Sequence, residues 1–298
     1  MAVDVYQKVT DAILEVMKCG KIPWIKPYSL RGVGCAVSHQ SREPYSLVNQ
    51  ILLLEPGEYF TFNQVQKEGF RVRKGAKSRF VVFWKLLCVG DDAAAPLNDD
   101  DTQAIPGKII PYLKWYNVFH ERDIEGFERN GMSDEELSAH DAEKNAEYNE
   151  MADNIINGYA NTGRGPKLST LDCIPHYSPR LDVVECPQKA QFSSLSEYYK
   201  TVFHELVHST GAECRLNRDM SGHFGSHAYS REELIAEIGS AYLASLSALP
   251  DQSVKNAAAY IQSWSRVLKD NPRWFVWAAS KAEKAVKFIM NEQEQQSC

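Results

Sequence analysis

The chain has 298 residues, 44% of them hydrophobic and 24% charged, with a formal net charge of −6. These values exclude a disordered or fibrous chain and leave room for two domains with packed cores. No apolar run approaches the length a bilayer requires, so no membrane span is expected, and seven cysteines without a Cys-x-x-Cys pair exclude a disulfide scaffold and point to a reducing, cytoplasmic setting.

The net charge conceals an asymmetry. Residues 1–90 carry 13 Lys/Arg against 7 Asp/Glu, a balance of +6, and the remainder carries −12. Only the first part has the electrostatic character of a surface that meets a polyanion. Met1 is followed by an acidic amphipathic stretch in place of a basic segment and apolar core, so no signal peptide is expected.

Taken in order, Asp4 to Cys19 reads as an amphipathic helix, with Val5, Val9, Ala12, Ile13, Val16 and Met17 at three- and four-residue spacing and Gly20 as its stop. Lys21-Ile22-Pro23-Trp24-Ile25-Lys26-Pro27-Tyr28 has two readings. Trp24 either pins a proline-fixed turn to the core or, with Lys21 and Lys26, makes a stacking platform for bases. Glu58 to Phe62 is strand-like, and Asn63 to Gly69 is a short helix capped by Asn63. Arg71 to Lys85 holds six basic residues (Arg71, Arg73, Lys74, Lys77, Arg79 and Lys85) and no acid, with Phe80, Phe83 and Trp84 interleaved. It is either a basic hairpin backed by a buried strand or a surface on which cations track phosphates and aromatics stack on unpaired bases. Nothing in it would read sequence.

Asp91 to Thr102 is an acidic, weakly hydrophobic segment expected to be a mobile loop. Ile109 to His120 is an apolar strand, and Ser133-x-x-Glu136 is a capping box opening a charged helix between the domains. Short strands are expected around Ile174 and over Leu181 to Val184, beside a helix that Ser194 or Ser196 caps and Gly211 stops. After Glu237 the pattern is helical to the end, broken at Pro250 and Pro272.

That capped helix contains His204-Glu205-Leu206-Val207-His208, the H-E-x-x-H pattern. Residues four apart on a helix share a face, so both imidazoles can bind one metal ion, and Glu205 on the adjoining edge can take a proton from a metal-bound water. Three readings compete for the third ligand. In the first, Glu233 is the ligand and Glu237 holds a ligand histidine from behind by hydrogen bond, as in gluzincins, with Glu232 in reserve. In the second, metzincin-like, reading it is Cys214. In the third it is His223 or His227, as in SprT-like proteases.

Beyond these elements, the chain resembles the ArdC antirestriction family nearly end to end. In the first half the resemblance rests on Ile22-Pro23-Trp24-Ile25-Lys26-Pro27, Pro44-Tyr45-Ser46, Phe60-Thr61-Phe62-Asn63-Gln64, Val72-Arg73-Lys74-Gly75, Val82-Phe83-Trp84-Lys85 and Tyr116-Asn117-Val118-Phe119. In the second it rests on Tyr198-Tyr199-Lys200-Thr201, Phe203-His204-Glu205-Leu206, His208, Thr210-Gly211, Arg215-Leu216, Tyr229 and Glu232-Glu233-Leu234 to Glu237. Ser209 stands where the family usually has an aromatic.

The resemblance implies an α+β protein of two domains. Residues 1–126 would be an α+β single-stranded DNA-binding domain, 127–152 a charged helical linker, and 153–298 a mostly helical zincin-like metallopeptidase domain with a small sheet. It favours Glu233 over Cys214 as the third ligand beside His204 and His208, with Glu205 as general base and Glu237 behind the histidines. Tyr229 and His227 are the candidates for oxyanion or substrate contact. The DNA candidates are Trp24, Lys26, Arg71, Arg73, Lys74, Lys77, Arg79 and Trp84. One divalent ion is expected, zinc before manganese. The expected partners are single-stranded DNA, duplex DNA non-specifically, and a protein substrate or component of a restriction system, with no membrane. The implied role is to protect incoming plasmid DNA from host restriction. A non-catalytic DNA-coating protein with a structural or regulatory zincin domain is the alternative.

Overall fold

The structure is a computed structural model that describes residues 4–24, 35–89, 94–96, 108–127, 150–192, 194–221, 227–247, 249 and 257–292. Helix α1 (Val5–Lys18) starts where the Asp4 carboxylate accepts the Tyr6 and Gln7 amides, and it buries Val9, Ile13 and Met17 on one stripe. A five-stranded sheet follows, from β1 (Ala36–Ser38), β2 (Gly57–Thr61), β4 (Arg79–Val89), β5 (Ala94–Pro96) and β6 (Lys108–His120). Its order is β1-β2-β6-β4-β5, with β1 and β2 parallel and the other pairs antiparallel. Helix α2 (Leu47–Leu53) is locked to the sheet by buried Asn49, whose amide donates to the Val82 carbonyl at 2.9 Å and accepts the Val82 amide at 2.8 Å. Helix α3 (Phe62–Lys67) continues β2 without a gap. Its cap is therefore Thr61, in a capping box with Gln64, and not Asn63. A small ribbon pairs β3 (Arg71–Val72) with β7 (Ile124–Glu125).

Within the acidic segment expected to be a loop, Ala94–Pro96 forms strand β5 against Leu87 to Val89. The capping box at Ser133 lies outside the described residues, which resume in a helix, α4, over 150–159. The second half then forms a three-stranded sheet in the order β8-β10-β9, from β8 (Lys167–Thr170), β9 (His176–Ser178) and β10 (Val183–Cys186), with β9 at the edge. Four helices follow: α5 (Leu195–Ser209), α6 (His227–Leu246), α7 (Ala257–Asp270) and α8 (Trp274–Ile289). Among the described residues no helix is long and apolar enough to cross a membrane.

The two halves share a core. One apolar cluster runs from α1, α2, Val82 and Leu113 into α4, α5, α6 and α8. Thr10 Oγ1 donates to the Pro272 carbonyl at 2.7 Å, and the Leu47 amide donates to Glu283 Oε2 at 3.1 Å. Trp24 sits in this seam, 2% exposed, with its ring 5.8 Å from Phe275 and 6.3 Å from Trp264. The stacking-platform reading of Trp24 is thereby corrected, because a ring inside the core has no face for a base.

Candidate metal centre

The Ser194 hydroxyl accepts the Glu197 amide at 3.1 Å and opens α5. Val202, Phe203, Leu206 and Val207 are wholly buried, which fixes the helix's rotation and turns His204 and His208 toward α6. Helix α6 comes close because residue 239 is glycine: a Cβ there would lie 2.9 Å from Val207 Cγ2. The approach brings Glu233 to the histidines. Their Nε2 atoms are 3.0 Å apart, and each is 3.5 Å from a Glu233 oxygen. A tetrahedral ion with bonds of about 2.0–2.1 Å separates its donors by about 3.3–3.4 Å, so these side chains fit a divalent cation. Their charges are already coupled. Burial would raise the Glu233 carboxyl, yet His204 and His208 hold it far below the usual carboxylate range. Burial would lower His208, yet Glu232 and Glu233 hold it well above the usual imidazole value.

Glu232 is the residue behind His208. Its Oε1 lies 3.2 Å from His208 Nδ1, and Arg218 grips both carboxylate oxygens, at 2.7 and 2.9 Å. Arg218 also donates to Thr210 Oγ1 and to the Val207 carbonyl. Gly211 makes room for it, since a Cβ there would stand 2.7 Å from Met220 Sδ and 3.0 Å from Arg218 Nη2. With Arg218 and His208 as partners the Glu232 carboxyl stays low despite its burial. The expectation for Glu237 is therefore corrected. One turn farther along α6, its carboxylate is beside the Tyr260 phenol of α7, past the histidines.

The other ligand readings fare differently. Cys214 is exposed in the turn after α5 and is absent from the groups of described residues able to hold an ion. His223 lies outside the described residues. His227, at the start of α6, rests edge-on against Trp274 at 5.4 Å and not at the trio, which corrects its assignment to oxyanion contact. Tyr229 does reach the centre: its phenol is raised first by burial and then by the neighbouring Glu233 carboxylate.

Glu205 is 8% exposed, and its Oε2 accepts the Tyr177 amide of β9 at 2.8 Å. A pair of contacts fixes β9 relative to α5. Tyr177 Oη donates to Asp182 Oδ1 at 2.9 Å, and Arg215 clamps Asp182 at 2.6 and 2.8 Å while donating to the Ser209 carbonyl at the end of α5. Ser209 puts its hydroxyl 3.1 Å from Tyr159 Oη. From the sequence Arg215 carries only a motif position and Arg218 carries no signal, because arginines in a polar turn read as solvated. Only their acidic partners, 33 and 14 residues away, show otherwise.

The basic stretch does not form one surface. Arg71, Arg73, Lys74 and Lys77 are exposed on and after β3, with Arg73 Nε donating to the Arg122 carbonyl. Arg79, half-buried, is paired with Glu55 at 2.7 Å and with Tyr59 Oη at 2.6 Å, and it shares Glu55 with Arg122, so it is less free than its exposed neighbours. Phe83 and Trp84 point to opposite sides of β4, Trp84 toward Tyr6 and Phe83 toward Tyr45 and Tyr116. Lys26 lies outside the described residues.

Residues 3–119 match the family model for the N-terminal domain of anti-restriction factor ArdC, and residues 165–281 match that for a zincin-like metallopeptidase. The crystal structure of the metal-free antirestriction ArdC protein from plasmid R388 is 30% identical, covers 97% of this chain with 98% of its own, and superposes with a TM-score of 0.67. Its Mn(II)-bound form gives 29% identity, coverage of 99% and 100%, and a TM-score of 0.69. The DNA primase TraC of Escherichia coli is 28% identical over 304 residues, which is 98% of this chain but 27% of the primase, so this chain spans about a quarter of that relative. A likeness that runs through both halves, and not through the metal motif alone, shows that the chain belongs to the ArdC antirestriction family.

Proposed function

We propose that this protein coats single-stranded DNA, and duplex DNA without sequence preference, and shields incoming DNA from a restricting host by means of a divalent-ion peptidase site that acts on a protein of the restriction system. The observation that carries the reading is the placement of Glu205 beside the His204–His208–Glu233 trio on one pair of helices. A zinc or manganese ion held there would polarise a peptide carbonyl and lower the pKa of a water to about 7. The Tyr177 amide pins one oxygen of Glu205 and leaves the other to accept a proton. Edge strand β9, its Tyr177 amide held by Glu205, offers the Tyr177 carbonyl to an extended peptide, and Tyr229 is the donor suited to a developing oxyanion.

For DNA, Arg71, Arg73, Lys74 and Lys77 supply exposed positive charge. The Phe83 face of the sheet supplies rings: Phe83 is 40% exposed and 5.9 Å from Tyr116, over which Lys114 lies at 5.1 Å. Tyr116 and Lys114 come from β6, far along the chain from the basic stretch.

The test is Glu205→Gln, which keeps an acceptor for the Tyr177 amide and removes the base. Metal content and DNA affinity should hold, while plasmid transfer into a restricting recipient should drop to the level without the protein. If protection persists, occupancy of DNA is the mechanism and peptidase chemistry is not. Separately, replacing Arg73, Lys74 and Lys77 together should flatten the log–log salt dependence of single-strand binding by up to about 2, at about 0.7 per phosphate. An unchanged slope rules this surface out.

A further inference from the structure

We propose that Cys173, His176 and Glu185 form a second divalent-cation site, of the zinc-selecting thiolate–imidazole–carboxylate kind, on the small sheet and separate from the H-E-x-x-H centre. Cys173 and His176 are spaced Cys-x-x-His around Ile174-Pro175, a gap that lets both side chains turn to one side of a short loop. His176 opens β9 and stands directly opposite Glu185 of antiparallel β10, so the two side chains share a face. One donor atom from each of the three residues lies within 4.8 Å of the others, and His176 Nε2 is 3.3 Å from Glu185 Oε2. A tetrahedral zinc ion with sulfur at about 2.3 Å and nitrogen or oxygen at about 2.0–2.1 Å sets its donors about 3.3–3.6 Å apart, inside the 4.8 Å within which these three atoms lie.

A second observation points the same way. His176 Nδ1 is 2.9 Å from the Ile174 carbonyl, an atom that can only accept, so Nδ1 carries a proton. In the neutral ring, Nε2 then turns its lone pair toward the Glu185 carboxylate, an arrangement that a cation between them would satisfy. A backbone carbonyl holding the far ring nitrogen is also how ligand histidines are oriented at metal sites. A proton on Nε2 would satisfy the pair of His176 and Glu185, but it gives no role to the thiol turned toward them. Thiolate and imidazole together select zinc over magnesium or calcium. Three protein donors leave a position open, and the site faces solvent, with His176 exposed.

The position matters for the rest of the molecule. Tyr177, next in the chain, gives its amide to Glu205, so the loop bearing the proposed site and the candidate general base are joined by one three-residue strand. An ion at Cys173, His176 and Glu185 would clamp that loop to β10 and hold β9 in place. The site itself does not depend on the peptidase reading.

The experiment is cobalt titration of the full-length, metal-free protein, read by the thiolate-to-cobalt charge-transfer absorption in the near ultraviolet. The His204–His208–Glu233 trio contains no sulfur and cannot produce it. The wild type should develop the band. Cys173→Ser should abolish it, and His176→Ala should weaken cobalt binding at this site about tenfold or more. His204→Ala and Cys214→Ser should each retain the band, which assigns it to neither the first centre nor the exposed cysteine. A wild type without the band, or a band that survives Cys173→Ser, overturns the proposal. Zinc content of the same variants gives a second readout: Cys173→Ser should hold one ion fewer than the wild type, and equal content also overturns it.

Discussion

Glu232→Gln should weaken divalent-metal binding at the H-E-x-x-H centre by about 10–100-fold, or ~1.4–2.7 kcal/mol. The carboxylate is 7% exposed and makes three contacts: one to His208 Nδ1 at 3.2 Å and two to Arg218, at 2.7 and 2.9 Å. An amide of the same shape has one accepting oxygen. It cannot serve the imidazole N–H and both arms of the guanidinium, and its NH2 must face either His208 or Arg218. The imidazole loses an anionic partner that fixes its tautomer and raises its basicity, and buried Arg218 loses its counter-charge. The assay is competition for zinc against a chromophoric chelator, with Glu237→Gln measured beside it. Both substitutions remove one negative charge from α6, so a general electrostatic effect would move both. The contact geometry instead predicts that Glu237→Gln leaves the affinity unchanged, its neighbour being Tyr260. Unchanged affinity in Glu232→Gln, or an equal loss in both variants, would refute the assignment of Glu232 as the group that orients His208.

Other consequences are open to the same kind of check. Trp24→Ala should cost ~3–5 kcal/mol in denaturant unfolding, because it empties the seam beside Trp264 and Phe275, while the folded protein keeps its DNA affinity; a stable variant that binds DNA poorly would restore the stacking role. Gly239→Ala should destabilise by ~1–3 kcal/mol, since the new methyl meets both Val207 methyls within 3.0 Å inside the core, although alanine normally gains ~1 kcal/mol over glycine in a helix; an unchanged or higher midpoint would contradict the close approach of α5 and α6. Arg215, chiefly by its hydrogen bonds, holds the Asp182 carboxyl below its usual value. A depressed carboxyl contributes stability that is complete above its unfolded pKa of about 3.9 and is lost as pH falls through the lower folded value. Asp182→Asn should therefore flatten the fall in melting temperature below about pH 4 relative to wild type, and superimposable curves would remove the pair from the stability of β9 and α5.

Much of this was already legible along the chain. The period of 3.6 residues is a local property of the backbone, so the placing of His204 and His208 on one helix face, with Glu205 at its edge, needed nothing beyond five consecutive residues. The same holds for α1, whose apolar stripe and Asp4 cap lie within one segment, and for β4 and β6, whose apolar runs mark them as strands. The acid that would complete the centre was narrowed to Glu233 from spacing and resemblance, with Cys214 and two histidines still in contention on the residues alone.

What the tertiary structure decided was each question of which distant groups meet. Glu232 and Glu237 are equally acidic and sit on the same helix, and only the crossing of α6 over α5 at Gly239 and Val207 decides that one faces His208 and the other Tyr260. Arg79 and Lys77 look alike in a basic run, yet Glu55 and Tyr59, brought up by the loop ahead of β2 and by β2 itself, hold the first against the protein and leave the second exposed. Trp24 reads as a platform or an anchor until α7 and α8 close over it. Local periodicity sets the direction of a side chain relative to its own backbone; what that side chain touches depends on the packing of segments separated by tens to hundreds of residues, and no short window of sequence records it.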